Sequence, residues 1–408
     1  MKKFKIVTIG CRANQYEAQA YSDQLKELGL TVSNNDLDLC IINACSVTKN
    51  ADKTTFNFIK QLKEKHSKAK IYLTGCVSKD NLSKILPGIH FISNLEKQDL
   101  IKNIFPDKKV PDFKIKNFDN RTRAFIKIQD GCNSFCSYCI IPFTRGRSRS
   151  RDSTDIIDEI KGIRDNGFKE IILTAINIGD FKSDISLSEL LYEIAGISGI
   201  ERIRLSSIDP HHIDNDLIEI YRNVEKMMPS MHLVLQSGSD KILKEMNRKY
   251  DTKFFLEKVL KLKEVNENFT FSSDIIVGFP SESDEDFKKS IEIVENVKFI
   301  KAHIFPYSNR PNTLASKLKD QINDKTIFER KNKLIEIADR NMQIALDFFI
   351  NKEMNVLFEN YKDGYLMGHI ENNILVKVKS TNKKNLNNIV KVFLKENKGS
   401  YFIGEICK

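Results

Sequence analysis

The sequence predicts an α/β protein of three parts: a parallel α/β unit at the N-terminus, a partial barrel of six βα units, and a small all-β, OB-like barrel at the C-terminus. Three observations predict it. Short β-rich runs alternate with helical patterns over the first 76 residues, six more strand-and-helix pairs fill residues 124–308, and five short strands crowd residues 351–408. A length of 408 residues exceeds the ~250–300 at which single cores stop growing, so more than one domain is required. The expected divisions are 1–115, 118–348 and 351–408.

The runs "FKIVTIG" (4–10), "LCIINA" (39–44) and "KIYLTG" (70–75) alternate with helix-like stretches near 14–28 and 50–65, which implies a parallel sheet with right-handed crossovers. Residues 98–122 hold "PDKKVPDFKIKNFDNRTR", rich in charge and proline without periodicity, and read as a linker. The second series of strands is expected at 124–130, 170–176, 201–208, 231–237, 271–278 and 301–308, with helices near 153–166, 186–195, 214–227, 251–266 and 283–296. Six such units suggest an incomplete parallel barrel rather than a complete one. A long helix over 324–349 closes this part. The strands "MNVLFE", "GYLMGHI", "NILVKVK", "IVKVFLK" and "YFIGEI" follow.

The net charge is +10, to which residues 351–408 contribute ten lysines against six acids. By charge alone a polyanionic partner, RNA or DNA, is favoured. No apolar run reaches the ~18–20 residues of a membrane span. The apolar stretch of "MKKFKIVTIG" is too short for a secretory signal, so a cytoplasmic protein is expected. In a reducing compartment eight patterned cysteines point to metal or catalysis rather than disulfides.

Two groups of cysteines stand out. Cys132, Cys136 and Cys139 form C-x3-C-x2-C after the first barrel strand. Thiolates are the usual ligands of iron–sulfur clusters, and three of them leave one iron of a cubane open for a small molecule. A structural zinc site is the competing reading, although no fourth Cys or His lies near. Cys11, Cys45 and Cys76 each follow a predicted strand of the first sheet, 34 and 31 residues apart. The carboxyl ends of parallel strands share one edge, so these remote thiols can meet; chance core cysteines are the alternative. Cys40 and Cys407 are taken as structural.

C-x3-C-x2-C on the first βα loop of a barrel resembles the radical S-adenosylmethionine (SAM) superfamily. "IGCRANQYEAQ", "NACSVTKNADK" and "TGCVSK", taken with "RTRAFIKIQDGCNSFCSYCIIPFTRGRSRSR" and "LQSGSDKILKEMNRKY", resemble the methylthiotransferases within it. The resemblance implies a flavodoxin-like N-terminal domain, a radical-SAM (βα)6 barrel and a C-terminal TRAM domain that binds RNA. It implies a [4Fe–4S] cluster on Cys132, Cys136 and Cys139, whose open iron holds SAM and cleaves it to a 5′-deoxyadenosyl radical. It also implies an auxiliary [4Fe–4S] cluster on Cys11, Cys45 and Cys76, two SAM per turnover, and a low-potential electron donor such as flavodoxin or ferredoxin. "NQYEAQ", "SVTKNADK" and "FTRGRSRSR" look most like the branch that methylthiolates carbon 2 of N6-threonylcarbamoyladenosine beside the anticodon of tRNA. The partner implied is therefore the tRNA anticodon loop, with no role for DNA or a membrane. Methylthiolation of isopentenyl-adenosine tRNA or of a ribosomal-protein aspartate, and a non-enzymatic iron–sulfur RNA-binding redox sensor, are the alternatives.

Further site residues follow from the same resemblance or from strand-end placement. Tyr138 occupies the aromatic position set near the adenine of SAM. Gly278, with Phe279 and Pro280, resembles the fifth-strand motif that supports the adenine, and Glu282 is carried over although Ser281 replaces the usual Gly. Asn177, Ser206, Ser207 and Gln236 end other strands and face the same mouth. The Gly-Gly-Glu that many superfamily members place after the second strand is absent; Ala175-Ile176-Asn177 stands there. Arg145, Arg147, Arg149 and Arg151 alternate, which on an extended segment makes one cationic rail for RNA phosphates or splayed bases. A solvated or salt-bridged loop is the plainer reading. His211 and His212 are given no role.

Overall fold

The computed structural model describes residues 2–77, 87–119 and 121–407. Ser78 and Lys79, which end the "TGCVSK" stretch, lie outside the described residues. Strands β1 (Lys3–Thr8), β2 (Thr31–Val32), β3 (Leu39–Cys45), β4 (Lys70–Cys76) and β5 (Ile89–Phe91) form one parallel sheet in the order β2-β1-β3-β4-β5. β2 and β5 are too short to announce themselves in the sequence. β3 is buried along almost its whole length, which suits its continuous apolar run.

Helix α1 (Arg12–Glu27) buries Glu17, Gln19, Asp23 and Gln24 as well as its apolar residues. The cause is its position between two units: Tyr16 and Ala20 pack into the core of the second series of strands, while Tyr21 and Leu25 pack under the first sheet. Helix α2 (Lys49–Lys65) starts at Thr48, whose hydroxyl accepts the Ala51 N–H at 3.2 Å. The expected linker is more ordered than its composition suggests. A turn of 3-10 helix at Lys97–Asp99 runs into a short helix at Leu100–Ile104, whose first two residues are buried, and Ile115 and Phe118 pack into the core beyond it.

The central unit holds two parallel three-stranded sheets. One contains β6 (Arg123–Lys127), β9 (Glu170–Thr174) and β10 (Arg202–Leu205); the other β11 (Ser230–His232), β12 (Thr270–Val277) and β13 (Lys301–Pro306). Between β6 and β9 a short antiparallel pair joins β7 (Gln129–Asp130) to β8 (Arg149–Ser150). Single bridges at Ile203–Met227 and Ile208–Leu233 connect the two sheets into one incomplete barrel of six strands. The run expected at 231–237 is a regular strand only over its start; beyond His232 it pairs through single bridges, Leu233 with Ile208 and Gln236, at φ 67°, with Ile275.

Helix Asp324–Asp347 ties the barrel to the C-terminal unit, packing Leu334 and Ala338 into the first core and Leu346 into the second. There β14 (Glu353–Lys362), β15 (Tyr365–His369), β16 (Leu375–Lys379), β17 (Ile389–Asn397) and β18 (Tyr401–Ile406) close into a barrel in the order β14-β15-β16-β18-β17. Its docking on the central unit is polar. Arg202 donates to the carbonyls of His369 and Asn355 at 2.9 and 2.6 Å, Arg204 to those of Glu371 and Ile370, and the Asn372 amide to those of Pro229 and Asn268. Among the described residues no helix is long and apolar enough to cross a membrane.

Candidate active site

Cys45 and Cys76 end β3 and β4 as register partners. The turn after β1 carries the third thiol to them: a Cβ on Gly10 would lie 3.1 Å from Cys45 Cβ, and Cys11 is the N-cap of α1. Burial, followed by the neighbouring Cys76, pushes the Cys45 thiol up to about 12, with Cys11 adding to the rise. Three thiols crowded together repel one another as thiolates, and a multiply charged iron–sulfur core relieves that repulsion. The donor set fits such a group.

The second trio sits on the loop after β7. Gly131 holds φ 75°, and a Cβ there would meet the Arg147 carbonyl at 2.0 Å, so only glycine lets the loop fold back on the 146–148 segment. The Cys132 N–H donates to the Gly146 carbonyl at 3.2 Å, Ser137 N–H to the Met246 carbonyl at 3.0 Å, and the Asn247 amide to the Phe135 carbonyl at 3.0 Å. Burial pushes Cys139 up to about 12, with Cys136 and Cys132 contributing, and raises Cys132 as well. Arg248 donates to Cys136 Sγ at 2.9 Å and is itself held by Asp209. This trio fits an iron–sulfur core for the same reason as the first.

The arginine rail is not one surface. Helix Ile141–Arg145, with Pro142 at its start, turns Arg145 inward, where it is fully buried. Its guanidinium donates to Cys76 Sγ at 2.9 Å, to Glu17 and Asp130 at 2.9 Å, and to Asn14 at 2.7 Å. Lys97 and Lys127 complete this network, each pairing with Glu17 and Asp130. Burial alone would raise the Glu17 carboxyl, but Arg145, Lys127 and Lys97 hold it well below the usual range. Three cations thus face two carboxylates; burial raises the Cys76 thiol, and Arg145 opposes that rise. Arg151 also turns inward, pairing with Glu159 at 2.6 Å and with the Tyr16 hydroxyl. Of the four, only Arg147, lying over the Phe135 ring at 4.3 Å, and Arg149 are exposed.

Tyr138 packs edge-on against Phe279, next to Gly278, so the aromatic position and the fifth-strand motif are brought together. Glu282 accepts the Gly278 N–H at 2.7 Å and pairs with Arg330 at 2.7 Å, both through Oε2, which fixes that turn, while its Oε1 is buried without a partner. Ser281 takes φ 68° there, a conformation glycine adopts more easily. The Asn177 amide contacts Ser134 Oγ and His212 Nε2, both at 3.4 Å, and thus lies beside the Cys132 loop. Ser206 Oγ, Ser137 Oγ and Gln236 Oε1 are buried without hydrogen-bond partners, as expected of groups that await a polar ligand.

A cavity of about 770 Å³ runs from Cys11 and Arg12 past Ser206 and Ser207 to His369 and Asn373 of the C-terminal barrel, so all three units contribute walls. On its floor His232, Asp274 and His303 bring their ligand atoms within 4.8 Å of one another. Sequence reasoning missed this trio, and Glu17, Asp130 and Arg248 as well. Asp130 directly precedes the cysteine motif and Arg248 lies within "MNRKY", but nothing in their spacing discloses a sulfur as partner.

Two family models match separate parts of the chain. The model described as Radical SAM superfamily matches residues 126–294, and that described as Uncharacterized protein family UPF0004 matches residues 3–93. The threonylcarbamoyladenosine tRNA methylthiotransferase MtaB of Chlamydia pneumoniae is 45% identical over 374 residues, 90% of this chain and 89% of that protein. The protein of the same name from Thermotoga maritima is 34% identical over 91% of this chain and 90% of its own length. The tRNA-2-methylthio-N(6)-dimethylallyladenosine synthase of Lachnoclostridium phytofermentans is 34% identical over 99% of this chain and 95% of its own. Among solved structures, the radical SAM methyltransferase TsrM of Kitasatospora setae shares the fold, with TM-score 0.54 at 12% identity over 75% of this chain and 73% of that one. The chain therefore belongs to the radical SAM methylthiotransferase family, in the branch of the threonylcarbamoyladenosine tRNA methylthiotransferases.

Proposed function

We propose that this chain places a methylthio group on carbon 2 of N6-threonylcarbamoyladenosine in the anticodon loop of tRNA, giving 2-methylthio-N6-threonylcarbamoyladenosine. Cys132, Cys136 and Cys139 would hold one [4Fe–4S] cluster and Cys11, Cys45 and Cys76 a second. When bound, these clusters and two SAM per turnover supply the radical and methyl-transfer chemistry that an unactivated ring C–H demands, with electrons from a low-potential donor such as flavodoxin or ferredoxin. The observation that carries the reading is the short path between the trios. Arg145 touches Cys76 Sγ and Asp130 at once, and Asp130 lies two residues before Cys132.

The chain's own groups do the positioning. Arg145 and Arg248 each donate to a cysteine sulfur and orient it. Tyr138 and the Gly278 turn offer an apolar support for an adenine, and Asn177 and Gln236 offer polar atoms for the rest of SAM. The target base reaches the cavity by leaving its stack, since its reacting carbon is otherwise covered by neighbours. Arg147 and Arg149 meet the RNA backbone.

The test is nucleoside mass spectrometry of tRNA from a strain lacking its own methylthiotransferases and expressing this chain. The expected product is 2-methylthio-N6-threonylcarbamoyladenosine. Methylthiolated dimethylallyladenosine in its place would move the chain to the other tRNA branch, and neither product would reject a tRNA substrate. Cys132→Ala should abolish 5′-deoxyadenosine release under anaerobic reduction, whereas Cys45→Ala should spare it and end methylthiolation. Release of 5′-deoxyadenosine equal to wild type from Cys132→Ala would refute the assignment of the two trios.

A further inference from the structure

Arg12 follows Cys11 directly and borders both the large cavity and an adjoining one of about 270 Å³. It is half-buried, and its guanidinium lies over the face of Phe125, 5.6 Å from the ring centre. Glu170, the carboxylate whose charge acts on it, is already taken. Glu170 pairs with Arg204 at 2.7 Å, Arg202 at 3.6 Å and Arg123 at 3.8 Å. Glu359 is shared by Arg123 at 3.2 Å and His369 at 2.6 Å. Among the described residues Arg12 has neither hydrogen bond nor ion pair, and its charged surroundings are dominated by Arg123, Arg204 and Arg121. A half-buried guanidinium that faces a cavity with no anion beside it is a ready place for an anionic ligand. A second orphan lines the same cavity: Ser206, 5% exposed, has a hydroxyl with no partner.

We infer that Arg12 is the specificity-determining residue that takes the carboxylate of the threonyl group on the substrate adenosine. This rests on the function proposed above and names how the site selects its substrate. The planar fork of arginine matches a carboxylate with two parallel hydrogen bonds. A threonylcarbamoyl substituent ends in that carboxylate and carries a hydroxyl and a urea carbonyl able to meet Ser206. A dimethylallyl substituent offers none of these and would cover Arg12 without pairing it, which penalises the wrong substrate. Placement beside Cys11 gives the contact a second effect: anchoring the substituent there orients the adenine relative to the first thiol trio.

A phosphate of the RNA backbone is the other anion able to meet Arg12, and the experiment separates the two. Anaerobically prepared full-length protein is titrated with anticodon stem-loops that carry N6-threonylcarbamoyladenosine, plain adenosine or N6-dimethylallyladenosine, with binding read by fluorescence anisotropy over a salt series. Wild type should prefer the threonylcarbamoyl stem-loop. Arg12→Gln should lose about ten- to a hundredfold of that preference, the range of a charged hydrogen bond, while binding plain adenosine as before. Arg12→Lys should recover part of it. Iron content should be unchanged and the thermal midpoint should not fall, because no hydrogen bond or ion pair is lost and one of four crowded cations is removed. Uniformly weaker binding of all three stem-loops with a shallower salt slope would assign the contact to phosphate and overturn the inference, as would a preference untouched by Arg12→Gln. If wild type itself shows no preference for the threonylcarbamoyl stem-loop, the proposed function fails first, whatever Arg12 does.

Discussion

Arg145 and Arg248 occupy equivalent places, each giving an N–H to one sulfur of its trio at 2.9 Å while carboxylates hold its other edge. Four arginines on alternate residues look alike in the sequence, yet their fates differ because the chain is helical up to Arg145 and extended only from Arg149. Arg145→Gln leaves Glu17 and Asp130 short of a buried cation, so it should cost about 3–5 kcal/mol in anaerobic urea denaturation. Its tRNA salt slope should stay at the wild-type value. The double variant Arg147→Ala with Arg149→Ala should behave oppositely. Its stability should stay within about 0.5 kcal/mol, while the salt slope falls by about 0.7 per arginine. A changed slope in Arg145→Gln would contradict its burial. The cysteines were legible because cluster chemistry fixes residue type and strand ends fix position. Glu17 and Arg145 were not, since they are 128 residues apart and a pattern of spacings names no partners.

At the scale of elements, the helices with strong apolar periodicity appear where expected, as do β3 and β4. The misses have local causes: β2 and β5 are two and three residues long, the helix at Leu100–Ile104 sits in a stretch whose charges hide its buried face, and after His232 the run at 231–237 pairs only through single bridges, with Gln236 at φ 67°. The cluster loop shows what such a conformation does for function. Gly131 is the point where the loop passes within contact of the Arg147 carbonyl, and both its φ and the space exclude a side chain. Gly131→Ala must therefore push Cys132 away from the other two thiols of its trio. The expected outcome is loss of one cluster's share, from about eight irons per chain to about four in anaerobically prepared protein, since the first trio lies on separate strands. Unchanged iron would show that the loop tolerates the shift.

For the whole molecule, the question is whether the C-terminal barrel only tethers RNA or also completes the site. A tether would be held by a flexible linker, yet here helix Asp324–Asp347 enters both cores and the arginines of β10 bind three consecutive carbonyls, those of His369, Ile370 and Glu371. His369, Asn373 and Ser400 also line the cavity that begins at Cys11. Opening that wall admits water to a place where reactive species need a dry enclosure. A chain ending at residue 350 should then keep SAM cleavage in the absence of RNA and lose methylthio transfer even at saturating tRNA, because excess substrate restores binding but not a wall. Asn372→Ala gives a milder version: its amide bridges the carbonyls of Pro229 and Asn268, so removing it should loosen the docking and lower the yield of methylthiolated product per SAM cleaved without altering iron content. Full recovery of product by excess tRNA in the shortened chain would reduce the barrel to a tether.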